Sequence, residues 1–159
     1  MKKDLQEIKP GTGLGMLKFG MTREQVKDLL GEPDETEQYS YSEEEQSLTE
    51  AWHYDALELS MGFDEVDEWK MTTLSVTSGF YRLHDQKLIG LKMDDVASIL
   101  RDMNIRDLEF EDWSSPEEPG HELVVSEAKG LNFWFENGIL NEIEWNPIWL
   151  DEDTFQQPT

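Results

Sequence analysis

The segment FGMTREQVKDLL, residues 19–30, recurs in altered form as IGLKMDDVASIL, residues 89–100. At a constant offset of 70 residues, Gly20 aligns with Gly90, and the apolar positions that follow coincide. A period of this length is too long for one unit of a solenoid. It therefore indicates the duplication of a small folding unit.

Both copies have the pattern of a helix. Thr22 and Gln25 have the spacing of a capping box, in which the hydroxyl accepts a backbone N–H and the glutamine returns one. Apolar residues follow at helical spacing, and Gly31 and Pro33 are typical of a helix end. The second copy repeats the apolar stripe, so two short helices are expected.

The stretch LNFWFENGILNEIEW, residues 131–145, predicts a β-hairpin. Two alternating runs flank an Asn-Gly pair at 137–138, which is the strongest short signal for a tight hairpin turn. The alternation places Ile139 on the core face and leaves Glu142 and Glu144 outside.

The alternating runs LELSMGF (57–63) and TTLSV (72–76) predict strands in the first copy as well. Each copy is then a helix followed by strands, which is typical of a duplicated αβ module. The expected organisation is one compact domain with a first module at 11–83, a second at 84–149, and terminal extensions at 1–10 and 150–159.

The glycines of GMLKFGMT, residues 15–22, have the spacing of a phosphate-binding loop. Met21 stands where that loop needs a lysine, and no buried strand precedes it. We therefore expect no nucleotide site. The stretch is predicted to be a loop that carries Leu14, Leu17 and Phe19 into the core.

Charge is the strongest compositional feature, because 36 Asp and Glu against 13 Lys and Arg give a net charge of −23. Phosphate contacts need basic residues, so we expect no direct binding of nucleic acid. The field favours a basic protein partner and speeds encounter with it. The alternative is that the acidity serves solubility alone.

The sequence has no cysteine, so disulfides and thiolate metal sites are excluded. The first residues carry no apolar signal-peptide region, and no apolar run reaches the ~20 residues of a membrane helix. We expect a cytoplasmic protein without membrane contacts.

No catalytic constellation can be assembled from the sequence. His53, His84 and His121 lack metal-ligand spacing, and no serine stands in a nucleophile elbow. The acidic runs at 43–45 and 151–153 do not match a calcium loop. The expectation is no catalytic residue, no metal and no cofactor.

A sheet with helices on one face exposes the other face to water. Trp134 then lies outside with acidic neighbours, which resembles an aromatic anchor inside a charged rim. The alternative is that the segment NPIWLDED, residues 146–153, folds back over Trp134. The candidate partner-binding residues are Trp52, Tyr54, Glu58, Trp134, Glu142 and Glu144.

The run GMTREQVKDLLGEP, residues 20–33, is followed by the aromatic-rich AWHYDALELSM, residues 51–61. This pair resembles the helix-opening signature of the BamE (SmpA/OmlA) lipoproteins and of the β-lactamase inhibitor proteins. The resemblance implies an α+β fold, with two tandem helix-plus-antiparallel-strand modules that form one curved sheet with the helices on one face. The chain lacks the lipobox cysteine of the first family and the disulfides of the second, so location and partner do not carry over. Non-catalytic protein binding is what the resemblance implies.

The expected function is that of an acidic inhibitor or immunity protein that neutralises a basic bacterial toxin, such as a nuclease with a basic cleft. The alternative is a small regulatory or ligand-binding module, or an enzyme with an unrecognised site. Salt distinguishes them, since an electrostatically steered complex associates much more slowly as ionic strength rises, whereas ligand binding in a small-molecule pocket is largely independent of salt.

Overall fold

The computed structural model describes residues 3–40 and 48–148. Its helices are α1 (Arg23–Leu30) and α2 (Met93–Asp102). Its strands are β1 (Glu7–Lys9), β2 (Gly13–Leu14), β3 (Leu17–Lys18), β4 (Glu35–Tyr39), β5 (Thr49–Tyr54), β6 (Leu59–Asp64), β7 (Lys70–Val76), β8 (Arg82–Leu83), β9 (Leu108–Asp112), β10 (His121–Ser126), β11 (Leu131–Glu136) and β12 (Ile139–Trp145).

The predicted α+β class is wrong, because the described residues are mostly β and do not form two helix-plus-strand modules. The described residues form two sheets instead of the one that was expected. The large sheet has the order β4-β5-β6-β7-β12-β11-β10-β9, and the small sheet has the order β3-β2-β1-β8. The strands of the small sheet are only two or three residues long, so they carry no alternation that a sequence could reveal.

The large sheet consists of two four-stranded antiparallel meanders that meet where β7 pairs with β12. Each meander contains a β-bulge, at Gly62/Phe63 and at Trp134/Phe135. The second bulge shifts the register by one residue, so Leu140 enters the core and Ile139 is 38% exposed. The predicted core position of Ile139 is therefore wrong.

The capping box and two glycines determine where the helices begin. The capping box is confirmed, with Gln25 N donating to Thr22 Oγ1 at 3.2 Å and Thr22 N to Gln25 Oε1 at 2.9 Å. Gly20 and Gly90 enter their helices at φ +96° and +99°, a region that favours glycine. The N–H of Gly90 donates to Leu140 O at 2.9 Å, which ties α2 to β12.

The core lies between the large sheet on one side and the helices and small sheet on the other. Leu14, Leu17 and Phe19 are buried as predicted, although the first two belong to β2 and β3 instead of a loop. Trp145 joins the two sheets, since its indole N–H donates to Gly13 O at 3.0 Å. Within residues 3–40 and 48–148, neither helix has the length and apolar character needed to cross a membrane.

Candidate functional site

The helices and the small sheet pack on one face of the large sheet, and we call the opposite face the open face. Because side chains alternate along a strand, cross-strand partners line up on it in rows. One row across six strands consists of Glu35, His53, Ser60, Ser75, Glu144 and Asn132.

The middle of the open face is a groove with a volume of about 350 Å³. Small side chains on β6 and β7, among them Ser60 and Gly62, form its floor, because they leave room above the sheet. Tyr39 lines one side of the groove, and Glu142 and Glu144 line the other. The groove therefore has a polar floor and an acidic wall.

The acidic wall holds two carboxylates in unequal environments. The hydroxyl of Ser75 donates to Glu142 Oε2 across the β7–β12 pair. Burial raises the pKa of Glu144, and the charge of Glu142 raises it further, while a hydrogen bond with Trp134 acts in the opposite direction. Ionised Glu144 is thus held at a cost that a nearby cation would relieve.

An aromatic cluster borders the same wall. The half-buried Trp134 stacks on His121, with ring centroids 4.9 Å apart and an interplanar angle of 14°. Trp113 meets Trp134 edge-on at 5.7 Å and is 54% exposed. The sequence does not predict that Trp113 and His121 join Trp134, because only the β9–β10–β11 register brings them together.

Trp52 and Tyr54 do not reach the open face, so the prediction that they are exposed is wrong. They are 4% and 5% exposed and point into the core. The indole of Trp52 donates to Glu50 Oε2 at 2.7 Å, and the hydroxyl of Tyr54 donates to Gly31 O at 2.9 Å. Burial raises the pKa of Tyr54 to about 12. These partners satisfy the polar atoms of both rings beneath α1.

Glu50 lies on the same core-side face of β5 as Trp52 and Tyr54. Burial acts to raise the pKa of Glu50, but hydrogen bonds from Gln38, Trp52 and Arg23 outweigh it and hold the pKa below its usual range. Arg23 lies 3.3 Å from Glu50 and 4.5 Å from the ring centroid of Trp69. The even-numbered residues of β5 therefore face α1.

Glu58 is exposed at the end of the β5–β6 connection, where its φ of 49° closes a short 3₁₀ turn. It lines a second cavity of about 390 Å³ together with Glu35, Glu37 and His53. Of the six candidate residues, the structure thus brings Trp134, Glu142 and Glu144 together at the groove and places Glu58 in the adjoining cavity, which shares His53, Ser60, Ser75 and Thr77 with the groove.

His53 and Ser60 are the groups on the open face most similar to catalytic machinery. His53 Nδ1 lies 2.7 Å from Ser60 Oγ, and its Nε2 lies 3.9 Å from Glu37 Oε1. However, β6 is paired on both sides, so the backbone N–H groups around Ser60 serve the ladder instead of an oxyanion. Within the described ranges, no group of three or more His, Cys, Asp or Glu is placed to hold a metal ion.

Positive charge is scarce across the large sheet. Lys70 is the single Lys or Arg in its eight strands, and its Nζ lies 3.5 Å from Glu68 Oε2. The acidic residues of those strands are Glu35, Glu37, Glu50, Asp64, Glu109, Glu111, Asp112, Glu122, Glu136, Glu142 and Glu144.

The alternative cover for Trp134 was the segment 146–153, of which residues 149–153 lie outside the described residues. Pro147 forms a bridge with Gly11, in the turn between β1 and β2.

No protein-family model, no curated protein and no solved structure matches this chain. The resemblance to the BamE-type and β-lactamase inhibitor families therefore stays a prediction.

Proposed function

We propose that this chain is a non-catalytic protein-binding protein whose open-face groove holds a basic segment of a partner protein. The observation that carries the proposal is the acidic wall, where Glu142 and Glu144 lie side by side next to Trp134. The small side chains of the floor leave space for an incoming chain, so the groove offers room as well as charge.

A cationic side chain would gain from this wall in two ways. It would offset the repulsion between Glu142 and Glu144, and it would relieve the burial cost of ionised Glu144. The cluster of Trp134, Trp113 and His121 supplies an apolar contact beside the charge. Charge and aromatic contact together are typical of the anchor of a protein interface.

The partner class follows from charge. A net charge of −23 strongly favours association with a basic protein. We propose an inhibitor or immunity role against a basic bacterial toxin. A nuclease is the natural example, because its nucleic-acid cleft must be basic.

The test passes a lysate of the source organism, at low salt, over three immobilised forms of the protein and identifies the proteins that each form captures. These are the wild type, the groove variant Glu142→Gln/Glu144→Gln, and the matched variant Glu24→Gln/Asp28→Asn. The matched variant removes the same charge from the exposed surface of α1. The proposal expects one basic protein that is retained by the wild type and the matched variant and lost from the groove variant.

The association rate of the purified partner with the wild type is then measured against ionic strength. We expect a fall of about tenfold or more between low and physiological salt, because exposed charges are screened within ~8–10 Å. Equal capture by all three forms, or a rate independent of salt, would overturn the proposal.

A further inference from the structure

We infer that the outer edge of β9 is a second interaction surface, where an extended basic segment of a partner protein pairs as a ninth strand of the large sheet. This surface lies at the opposite end of the sheet from β4, and it shares only Trp113 with the aromatic cluster beside the groove.

The backbone of β9 offers the hydrogen-bonding groups for such pairing. Trp113 N donates to His121 O at 2.8 Å, so Trp113 belongs to a hydrogen-bonded pair with β10. Antiparallel pairs alternate, so Glu111 also turns its N–H and C=O towards β10. Phe110 and Asp112 must then direct theirs away from β10. Among the described residues, β10 is the one strand paired with β9.

Both ends of β9 are held in place before any partner arrives. At its start, Asp107 accepts hydrogen bonds from Ser126 Oγ at 2.8 Å and from Ala128 N at 2.9 Å. At its end, Ser114 N donates to Asp112 Oδ1 at 2.9 Å. A strand that is already ordered loses little conformational entropy when another strand pairs with it.

The side chains of this edge also favour contact. Phe110 is 56% exposed, and Trp113 is 54% exposed on the other face of the strand. An exposed edge strand normally limits its apolar surface to avoid aggregation. Phe110 therefore offers an exposed ring on one face of an added strand, and the half-exposed Trp113, which also contacts Trp134, follows β9 on the other face.

Charge identifies the occupant. Glu109 and Glu111 point to the open face, and Asp112 follows at the end of β9. A second copy of this chain pairing edge to edge would bring these carboxylates together, which is unfavourable. A segment with Lys or Arg at alternate positions would place its cations opposite Glu109 and Glu111 and its other side chains beside Phe110.

The probe is the eight-residue peptide Lys-Thr-Lys-Val-Lys-Thr-Lys-Val with blocked ends, titrated into the ¹⁵N-labelled full chain. In the inferred register, its Thr and Val residues form the hydrogen-bonded pairs with Phe110 and Asp112. We expect saturable shifts of the amide signals of Phe110 and Asp112, and exchange of those two amides slowed by about tenfold or more.

Two N-methylated peptides test the pairing directly. Methylation of the backbone nitrogens of the Thr and Val residues removes the N–H donors that face β9 and should abolish the shifts. Methylation of the backbone nitrogens of the Lys residues blocks only the outer edge of the peptide, leaves the side-chain ammonium groups unchanged, and should leave the affinity within about threefold. Equal behaviour of the two peptides would overturn the inference.

Two variants give an independent comparison. Phe110→Pro removes an N–H that points away from β10, so the ladder stays intact, and we expect peptide affinity to fall by about tenfold or more. Phe110→Ser removes the ring but keeps the N–H, so a smaller loss is expected. The dispersion of each variant's amide spectrum reports whether it is folded.

The inference fails if the wild type shows no saturable shift at Phe110 and Asp112 up to about 1 mM peptide. It also fails if folded Phe110→Pro binds as the wild type does. Shifts confined to Glu142 and Glu144 would place the peptide in the groove, which overturns the edge inference and leaves the proposed function standing. Conversely, if the amide shifts of Phe110 and Asp112 are unchanged in Glu142→Gln/Glu144→Gln, the β9 edge binds the peptide without the acidic wall of the groove.

Discussion

The hydroxyl of Ser75 on β7 donates a hydrogen bond to Glu142 on β12, across the junction between the two halves of the large sheet. The backbone register there spans only three residue pairs. The side-chain bond therefore orients the acidic wall and also strengthens the junction.

Ser75→Ala removes this donor and leaves the partly buried Glu142 carboxylate with one fewer partner. We expect the free energy of unfolding to fall by about 1–3 kcal/mol, measured by urea denaturation. Ser98→Ala changes an exposed serine on α2 and should stay within about 0.5 kcal/mol of the wild type. Equal stability of the two variants would contradict a supporting role for the Ser75 hydroxyl.

Glu144→Gln tests the raised pKa of Glu144. Burial and the Glu142 charge raise this pKa in the folded state above the ordinary 4.5, so the folded protein binds more protons than the unfolded chain in that interval. The contribution of Glu144 to the stability of the wild type therefore falls as the pH rises from about 4.5 through its folded pKa. At a pH above the folded pKa, the ionised carboxylate of Glu144 destabilises the folded protein, whereas the neutral amide of Gln at this position does not.

We therefore expect Glu144→Gln to be more stable than the wild type at pH 7, with a difference that disappears as the pH falls towards 4.5. Denaturation curves between pH 4 and pH 8 measure this. Glu136→Gln, at an exposed position of β11, serves as the control and should differ little at any pH. Parallel pH profiles for Glu144→Gln and the wild type would show that Glu144 is not destabilised by burial.

Trp145→Phe tests how the two sheets are joined. Trp145 is 0% exposed, and its indole N–H satisfies the carbonyl of Gly13. Phenylalanine removes the indole donor from that carbonyl and leaves the site underfilled, so we expect a loss of about 1–3 kcal/mol in guanidinium denaturation. Trp113→Phe, at a 54% exposed position, should cost less. A small effect at Trp145 would mean that the sheets are held together elsewhere.

Short sequence motifs correctly predicted the elements that depend on neighbouring residues in the chain. The Thr22–Gln25 capping box begins α1, and Asn137 and Gly138 turn the β11–β12 hairpin with φ of 52° and 81°. Alternation also placed Glu142 and Glu144 opposite the core, where the structure has them.

The fold class failed where strands lack an apolar face. All five residues of β4 are exposed, and β9 is nearly as exposed, so neither strand carries the alternation that identifies a half-buried strand. The small sheet depends on long-range pairing, such as that of β1 with β8, which no short stretch encodes. Sheet number and secondary-structure balance therefore could not be predicted.

The candidate surface was predicted only in part, because register decides which face a side chain occupies. Trp52 and Tyr54 turn inwards because the pairing of β5 with β6 puts them on the face of Leu59, Met61 and the core, where burial of their rings is favourable. Glu50 lies on the same face and pairs with Arg23 of α1, a contact 27 residues apart in the chain. The stacking of His121 on Trp134 likewise follows from the β10–β11 register.

The most direct test of the central claim is the dissociation constant of the captured basic partner, measured by isothermal titration calorimetry at physiological salt. We expect Glu142→Gln/Glu144→Gln to weaken binding by about tenfold or more, which corresponds to ~1.4 kcal/mol or more, while Glu24→Gln/Asp28→Asn stays within about twofold. Equal losses in the two folded variants would mean that the partner responds to net charge alone, and would contradict a binding site in the open-face groove.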